Sequence, residues 1–427
     1  MQKRISPSGA ISGTITLPGD KSISHRYGMI AAIAGGETRI RNYSTGADCR
    51  STLGCVGALG VEIEQQGTEV VIHGRGLDGL RAPATDLDAG NSGSTIRMLS
   101  GILAGQPFES RLFGDESLSR RPMQRIMRPL AEMGAEIRAR EGNFPPLEIH
   151  GAKLRPIDYV LPVPSAQVKT CVLFAGLFAE GATSVTEPLR SRDHTEIALR
   201  EFGADVTVER RKITVTGRPK LCGRELEVPS DLSSAAFFMA AALMAPGSHI
   251  VIRGVGLNPT RSALLDFLTG MGARIRIPEI ESRGGELVGD LDVEYSPLRG
   301  GAVEGALTAA LIDEIPILAV LGAATEKGLT VKDASELRIK ETDRIRTVVD
   351  NLRRMGVQAE ELPDGLVIPG RQKLHSAQID SFGDHRIAMA FAVAALTADG
   401  ESVIEDAEAA SVSFPEFWDT LAAIAAP

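Results

Sequence analysis

The chain has 427 residues, too long for one ordinary domain and about right for two large ones. Hydrophobic residues make up 43% and charged residues 24%, the balance of a folded, soluble protein. A net charge of −9 argues against nucleic acid as the main partner, so any anion site has to be a local basic cleft in an acidic body. Four cysteines (Cys49, Cys55, Cys171, Cys222) show no Cys-x-x-Cys pairing, and with no secretory signal they read as reduced thiols of a cytoplasmic protein without zinc. No apolar run approaches the roughly 20 residues of a membrane span, and the N-terminus goes straight into strand-like alternation with no transit peptide.

In chain order, Ile5 to Leu17 is strand-like with no helix before it. An apolar, Ala-rich helix then opens at Lys21, and similar helices open at Asn91, Ser165, Asp231, Asp313 and Asp384. A helix apolar on nearly all sides is buried. Between them runs a second repeated unit, a helix ending in Gly and followed by strands. Its copies are Ala58-Leu-Gly-Val-Glu-Ile63, Glu132-Met-Gly-Ala-Glu-Ile137, Glu201-Phe-Gly-Ala-Asp-Val206, Gly270-Met-Gly-Ala-Arg-Ile275 and Arg354-Met-Gly-Val-Gln-Ala359. The glycines (Gly60, Gly134, Gly203, Gly272, Gly356) fit the left-handed position that closes a helix. The copies lie about 70 to 85 residues apart, too long for a solenoid repeat, so each reads as a subdomain. Six βα-rich subdomains follow, each with one buried and one surface helix. The last helix, from Pro415 to Ala425, has no strands after it, so the two ends of the chain are expected to complete one subdomain together. That predicts a split domain of residues 1–19 plus 229–427 and an inserted domain of 20–228, with the active site in the cleft between them.

The polar starts of the buried helices collect chemistry. Helix N-termini present free N–H groups and partial positive charge, and so bind anions. Lys21-Ser-Ile-Ser-His-Arg26, Gly90-Asn-Ser-Gly-Ser-Thr-Ile-Arg97, Ser165-Ala-Gln-Val-Lys169 and Asp384-His-Arg386 each add cations to such an end, and Arg120 and Arg121 form a loop pair. Ordinary capping explains the hydroxyls and carboxylates. It does not explain a cation in the first turn, which opposes the helix dipole, so a ligand is expected to supply the negative charge. The segment from Leu337 to Arg346 reads as helical, with Lys340 and Arg344 on one face and Glu341 beside them. Asp313, Glu314, Glu341 and Asp384 are the acids available for proton transfer. There is no Walker loop or Gly-x-Ser-x-Gly nucleophile, so neither nucleotide binding nor covalent catalysis is indicated.

Six ordered motifs carry a resemblance to a known family. They are Leu17-Pro-Gly-Asp-Lys-Ser-Ile-Ser-His-Arg26, Gly90-Asn-Ser-Gly-Ser-Thr-Ile-Arg97, Gly114-Asp-Glu-Ser-Leu-Ser-Arg-Arg-Pro-Met123, Arg192-Asp-His-Thr-Glu196, Arg338-Ile-Lys-Glu-Thr-Asp-Arg344 and Gly383-Asp-His-Arg-Ile-Ala-Met389. Together, over essentially the whole chain, they resemble the 5-enolpyruvylshikimate-3-phosphate synthase (3-phosphoshikimate 1-carboxyvinyltransferase) family. The resemblance implies an α/β (α+β) fold of two domains, each of three βαβαββ-type subdomains forming an inside-out α/β barrel. It also implies transfer of the enolpyruvyl group of phosphoenolpyruvate to the 5-hydroxyl of 3-phosphoshikimate, on the shikimate pathway to chorismate and the aromatic amino acids. No metal or organic cofactor is implied, and a cytoplasmic monomer working on small molecules, without nucleic acid or membrane, is expected.

Carried over residue by residue, the resemblance implies that Lys21, Ser22, Arg26, Ser165, Ala166 (through its backbone), Gln167, Asp313 and Lys340 bind 3-phosphoshikimate. It implies that Lys21, Gly93, Arg121, Gln167, Arg344 and Arg386 bind phosphoenolpyruvate. Asp313 is similar to the group that orients and deprotonates the hydroxyl, Glu341 to the acid that protonates the methylene carbon, and Lys21 counts with them as catalytic. Two departures stand out. Some members carry a lysine in the C-terminal segment where this chain has Val412, and some have Thr-Ala-Met-Arg-Pro where it has Ser94-Thr-Ile-Arg-Met98. Gly93 predicts inhibition by glyphosate, which mimics the donor. Two other readings compete: the sister transferase acting on UDP-N-acetylglucosamine, which uses a Cys-bearing glycine loop and a Lys-Asn pair absent here, and a non-catalytic anion-binding repeat module.

Overall fold

The computed structural model describes residues 1–425. The chain divides into two compact units. A terminal unit comprises Met1–Pro18, Pro229–Glu281 and Leu287–Pro427, and an inserted unit comprises Gly19–Val228 with Ser282–Glu286. The short segment at 282–286 is the tip of a hairpin whose strands begin and end in the terminal unit.

In the inserted unit, three four-stranded sheets share one connectivity: strand, buried helix, parallel strand, surface helix, antiparallel hairpin. One copy runs Leu87–Asp88, helix Gly93–Ala104, Glu109–Phe113, helix Gln124–Met133, then Glu136–Arg140 and Phe144–His150. A second runs Asp158–Val160, helix Ala166–Gly176, Ala182–Thr186, helix His194–Glu201, then Val206–Glu209 and Lys212–Thr216. In the third, the first strand is not ahead of helix Lys21–Ile33. It is Glu225–Glu227, from the far end of the unit, paired in parallel with Gly35–Arg41. The surface helices turn into their hairpins at Gly60, Gly134 and Gly203, with φ of 86°, 107° and 99°. An added Cβ would be strained at such angles, which is why glycine recurs there.

The terminal unit repeats the pattern. Strand Ser12–Thr16 pairs in parallel with His249–Gly256, so a strand from the N-terminal end serves a sheet whose helices, Leu232–Met244 and Ala263–Gly270, lie far along the chain. A second sheet carries helices Ile315–Ala324 and Arg344–Arg354. The third has only three strands: Gln378–Asp380, Ser402–Glu405, and Lys3–Ile5 from the N-terminus in place of a hairpin. The chain ends meet here, through a bridge between Ile11 and Ala425 and an ion pair of the N-terminal amine with Glu408 at 2.6 Å.

Each unit is built around three buried helices. In the inserted unit these are Lys21–Ile33, Gly93–Ala104 and Ala166–Gly176. In the terminal unit they are Leu232–Met244, Ile315–Ala324 and His385–Leu396, each of which packs on the other two. Ala and Gly on these helices permit close approach. Gly101 is an example: a Cβ there would lie 2.1 Å from the carbonyl oxygen of Cys171. The helices are sheathed by their sheets, and both clusters described next gather at their polar N-termini, the second joined by the start of the surface helix Arg344–Arg354.

Candidate active site

In the inserted unit, Asp20 caps helix Lys21–Ile33 by accepting from the Ile23 N–H at 2.9 Å. This fixes the first turn, which carries Lys21 and Ser22, with Arg26 one turn on. Lys21 Nζ donates to Asp48 Oδ2 at 3.0 Å and remains about 20% exposed. Arg26 is 3% exposed. It donates to Thr195 Oγ1 at 2.6 Å, Thr170 Oγ1 at 3.0 Å and the Ser22 carbonyl at 2.7 Å. All three are neutral acceptors. Burial pushes its pKa down to about 10, against the opposing pull of Glu196, so it stays cationic near neutrality with its charge only partly offset. That is an environment suited to an incoming anion.

Ser92, itself buried, caps helix Gly93–Ala104 through the Thr95 N–H. Arg97 Nη1 donates to Gln167 Oε1 at 2.8 Å, and Gln167 Nε2 donates to Ser94 Oγ at 2.9 Å. These two bonds stitch the starts of two core helices together. Arg121 donates to Asn91 Oδ1 at 2.9 Å and Ser117 Oγ at 3.0 Å. Its neighbour Arg120 is exposed and pairs with Glu116, so the sequence pair splits into one inward and one solvated arginine. A Cβ built on Gly93 would lie 2.8 Å from Arg97 Nη1 and 3.5 Å from Arg121 Nη1. Ser165 caps its helix by accepting from the Val168 N–H at 3.3 Å, which leaves its hydroxyl proton free to donate elsewhere. Ala166 is the first helical residue.

Lys169 differs from the expectation of a ligand-facing cation. It is fully buried, with Nζ 3.2 Å from Glu187 Oε2 and 2.7 Å from Glu196 Oε1. Arg192, in contrast, was part of a motif but not of the expected site. Its Nη1 lies 3.4 Å from Ser22 Oγ. Arg97, Thr170, Thr195 and Arg192 all join this cluster, and the sequence signal for the last two was the Arg-Asp-His-Thr-Glu run.

The terminal unit holds a second cluster, centred on Arg344. The expected continuous helix through Leu337 to Arg346 is broken. A 3₁₀ turn spans Ser335–Ile339, Lys340 is extended, and an α-helix starts at Arg344. Asp343 causes the break: its carboxylate caps the new helix, accepting from the Arg346 N–H at 3.1 Å. Lys340 and Arg344 therefore do not share a helix face. They converge on Asp313 instead, at 3.4 Å and 3.7 Å from Oδ1. Arg344 is 1% exposed and also holds Glu341 at 2.5 Å and Asp384 at 2.8 Å. Burial alone would lower its pKa, but Asp384, Glu341 and Asp313 outweigh that and raise it. For Asp384, burial pushes the pKa up and Arg344 pulls it down further, so the net shift is downward.

Asp384 also caps helix His385–Leu396 through the Arg386 N–H at 2.9 Å and accepts from Thr342 at 3.1 Å. Arg386 Nη1 donates to the Asp313 carbonyl at 2.6 Å and lies 3.8 Å from Glu314. Glu314 in turn accepts from Ser233. The cluster thus gathers three cations (Lys340, Arg344, Arg386) and four acids, three of them (Asp313, Glu341, Asp384) on the same guanidinium. Arg338 and Arg346 stand outside it. Arg338 pairs with Asp343 and Glu361, and Arg346 with Asp350. Val412 ends a 3₁₀ turn, Ala407–Val412.

Comparison with known proteins agrees with this architecture. The family described as EPSP synthase (3-phosphoshikimate 1-carboxyvinyltransferase) matches residues 5–421. A 3-phosphoshikimate 1-carboxyvinyltransferase of Solibacter usitatus is 77% identical over 425 residues, covering 100% of both chains. One of Koribacter versatilis is 54% identical, covering 98% of both. Among solved structures, EPSP synthase from Acinetobacter baumannii superposes with a TM-score of 0.89 at 43% identity, over 99% of this chain and 98% of that one. The enolpyruvyl transferase NikO from Streptomyces tendae shares the fold, with a TM-score of 0.80 at 17% identity over 99% of this chain and 97% of that one. No helix among the described residues is long and apolar enough to cross a membrane. The chain belongs to the EPSP synthase (3-phosphoshikimate 1-carboxyvinyltransferase) family.

Proposed function

We propose that this chain transfers the enolpyruvyl group of phosphoenolpyruvate to the 5-hydroxyl of 3-phosphoshikimate and releases phosphate. Full-length identity to curated members of the family supports this, and neither the UDP-N-acetylglucosamine reaction nor a non-catalytic module is favoured. The observation that supports the residue assignment is that Asp313 and Glu341 meet, together with Asp384, on the one buried Arg344.

The addition step forms a bond between the acceptor oxygen and C2 of the donor, with one proton leaving the hydroxyl and one arriving at the methylene carbon. Asp313 takes the first, with Lys340 at 3.4 Å orienting it. Glu341, acting as the carboxylic acid, delivers the second while its other oxygen accepts from Arg344. The resulting tetrahedral adduct collapses when the C–O bond to phosphate breaks: the new methyl group returns a proton to Glu341, and the proton taken up by Asp313 leaves with the phosphate. Phosphates and carboxylates on both substrates need many cations, since one phosphate monoester alone carries about −1.5 to −2. Lys21, Ser22, Arg26, Arg192, Ser165, Gln167 and the Ala166 N–H serve the 3-phosphoshikimate anion. Arg121, Arg344 and Arg386 serve phosphoenolpyruvate, with Lys21 shared and Gly93 leaving room for the donor.

Phosphate release tests the reading. It is expected only when both substrates are present; release from phosphoenolpyruvate alone, or with UDP-N-acetylglucosamine as acceptor, overturns it. Glyphosate is expected to inhibit. In G93A the new methyl group would crowd the guanidinium ends of Arg97 and Arg121. One methyl in a packed anion site is worth about 10- to 200-fold in discrimination, so half-inhibition by glyphosate should need at least about tenfold more compound. An unchanged inhibition curve would remove Gly93 from the donor site.

A further inference from the structure

We infer that Lys169 is a positioning residue for 3-phosphoshikimate: a buried cation that clamps both ends of the loop from Glu187 to Glu196 and so holds Arg192 and Thr195 where the anion is bound. The inference rests on the reading of the inserted unit as the part that holds 3-phosphoshikimate. It starts from an oddity of burial. Lys169 is 0% exposed, Glu187 2% and Glu196 3%, so three charges are withdrawn from water together. Taking ions out of water carries a penalty that their mutual attraction rarely exceeds, and well-packed apolar residues of similar volume usually serve stability as well. The cluster is therefore better explained by what it holds in place.

Its two carboxylates sit on different sides of one loop. Glu187 follows strand Ala182–Thr186 directly. Its Oε1 accepts from the Ser191 N–H at 3.3 Å and from the Ser191 hydroxyl, while Oε2 takes Lys169. Ser191 is next to Arg192. Glu196 lies in the first turn of helix His194–Glu201, next to Thr195. Lys169 reaches both from the first turn of helix Ala166–Gly176. That same turn sends Gln167 to Arg97 and Ser94, and Thr170 to Arg26 and Thr195. One helical turn therefore sets the position of Arg26, of Thr195 and, through Glu187 and Ser191, of Arg192. The helix start has a second anchor, His194 Nδ1 at 2.7 Å from Glu286 Oε1, both 2% exposed. Glu196 Oε2 is buried with no hydrogen-bond partner, so its carboxylate is held by Lys169 through one oxygen.

The test uses the full-length enzyme. K169M/E187Q/E196Q replaces the cluster with neutral groups of similar volume, so that none of its three members is left as an unpaired buried charge. E196L keeps the Lys169–Glu187 pair and removes only the anchor on the helix, and E196Q restores an acceptor oxygen at that point. Steady-state kinetics in both substrates, calorimetric binding of 3-phosphoshikimate and thermal melting are measured for each. Losing an interaction made equally in ground and transition states raises KM and leaves kcat alone. The triple variant is therefore expected to raise KM and Kd for 3-phosphoshikimate about tenfold, and E196L about fivefold, with kcat and the phosphoenolpyruvate KM within about twofold. E196Q should return to within about twofold of the parent. Folded variants whose 3-phosphoshikimate KM stays at the parent value, or whose kcat and both KM values worsen together in step with the melting temperature, overturn the inference. A parent enzyme that neither binds 3-phosphoshikimate nor releases phosphate overturns the functional reading instead.

Discussion

Replacing Arg344 with Met is expected to destabilise the protein by about 3–5 kcal/mol and to abolish measurable turnover. Arg344 is the partner of Asp384, which is 0% exposed, and also contacts Glu341 and Asp313. Removing the guanidinium leaves a carboxylate uncompensated in the interior, which is far costlier than never having buried the pair. Chemical denaturation gives the loss directly. A second variant separates the two roles. R344M/D384N removes both buried charges while the amide oxygen can still cap helix His385–Leu396, so most of the stability should return, while a phosphoenolpyruvate site lacking its cation should stay inactive. Restored turnover in the double variant would mean that Arg344 only serves the fold.

The same ion pair fixes the sign of an acid effect. Burial alone would raise the Asp384 pKa, but Arg344 outweighs it and the net shift is downward. A depressed folded-state pKa contributes stability that is fully present above the unfolded carboxylate value, near 3.9, and is lost as pH falls through the lower folded value. The parent enzyme should therefore lose more stability on acidification through that window than R344M/D384N does. Parallel pH–stability curves for the two would contradict this.

The second large effect concerns Glu341. E341Q is expected to lower kcat by about 10²- to 10⁴-fold, the usual worth of a positioned acid or base. Binding of 3-phosphoshikimate should stay within a few-fold. The amide keeps an oxygen to accept from Arg344, which now holds the Glu341 side chain at 2.5 Å, but unlike a carboxylic acid it has no proton of suitable acidity to give. Rapid-quench measurement of the tetrahedral adduct would show its formation slowed. A variant that makes the adduct at the parental rate would move the methylene proton to another acid.

Much of the architecture is written locally in this chain. Five helices close on glycines with positive φ, and the six Ala-rich helices are buried where their all-round apolarity implied. Both are short-range signals: a left-handed backbone position selects glycine, and a helix with no polar face has to be surrounded. The strand that starts each sheet was harder to read. Glu225–Glu227 and Ser12–Thr16 each pair in parallel with a strand remote in sequence, and nothing in a three- to five-residue strand names its partner.

The charged residues divide in the same way. Residue type and helix-start position alone marked Lys21, Arg26, Asp313 and Arg386 as notable. Tertiary structure decided what each cation faces. Lys169 looked like a ligand group from its place in the first turn, yet two glutamates 18 and 27 residues further on enclose it. Arg192 lay in a recognisable run, yet only folding brings it to Ser22, 170 residues away. Lys340 and Arg344 were close in sequence for the wrong reason. Capping by Asp343 breaks the helix, and Asp313 draws them together from another element. Local sequence determined where helices begin, end and hide, because capping and burial act over a few residues. Which charge meets which was left to the fold, because an ion pair depends on distance in space and not on distance along the chain.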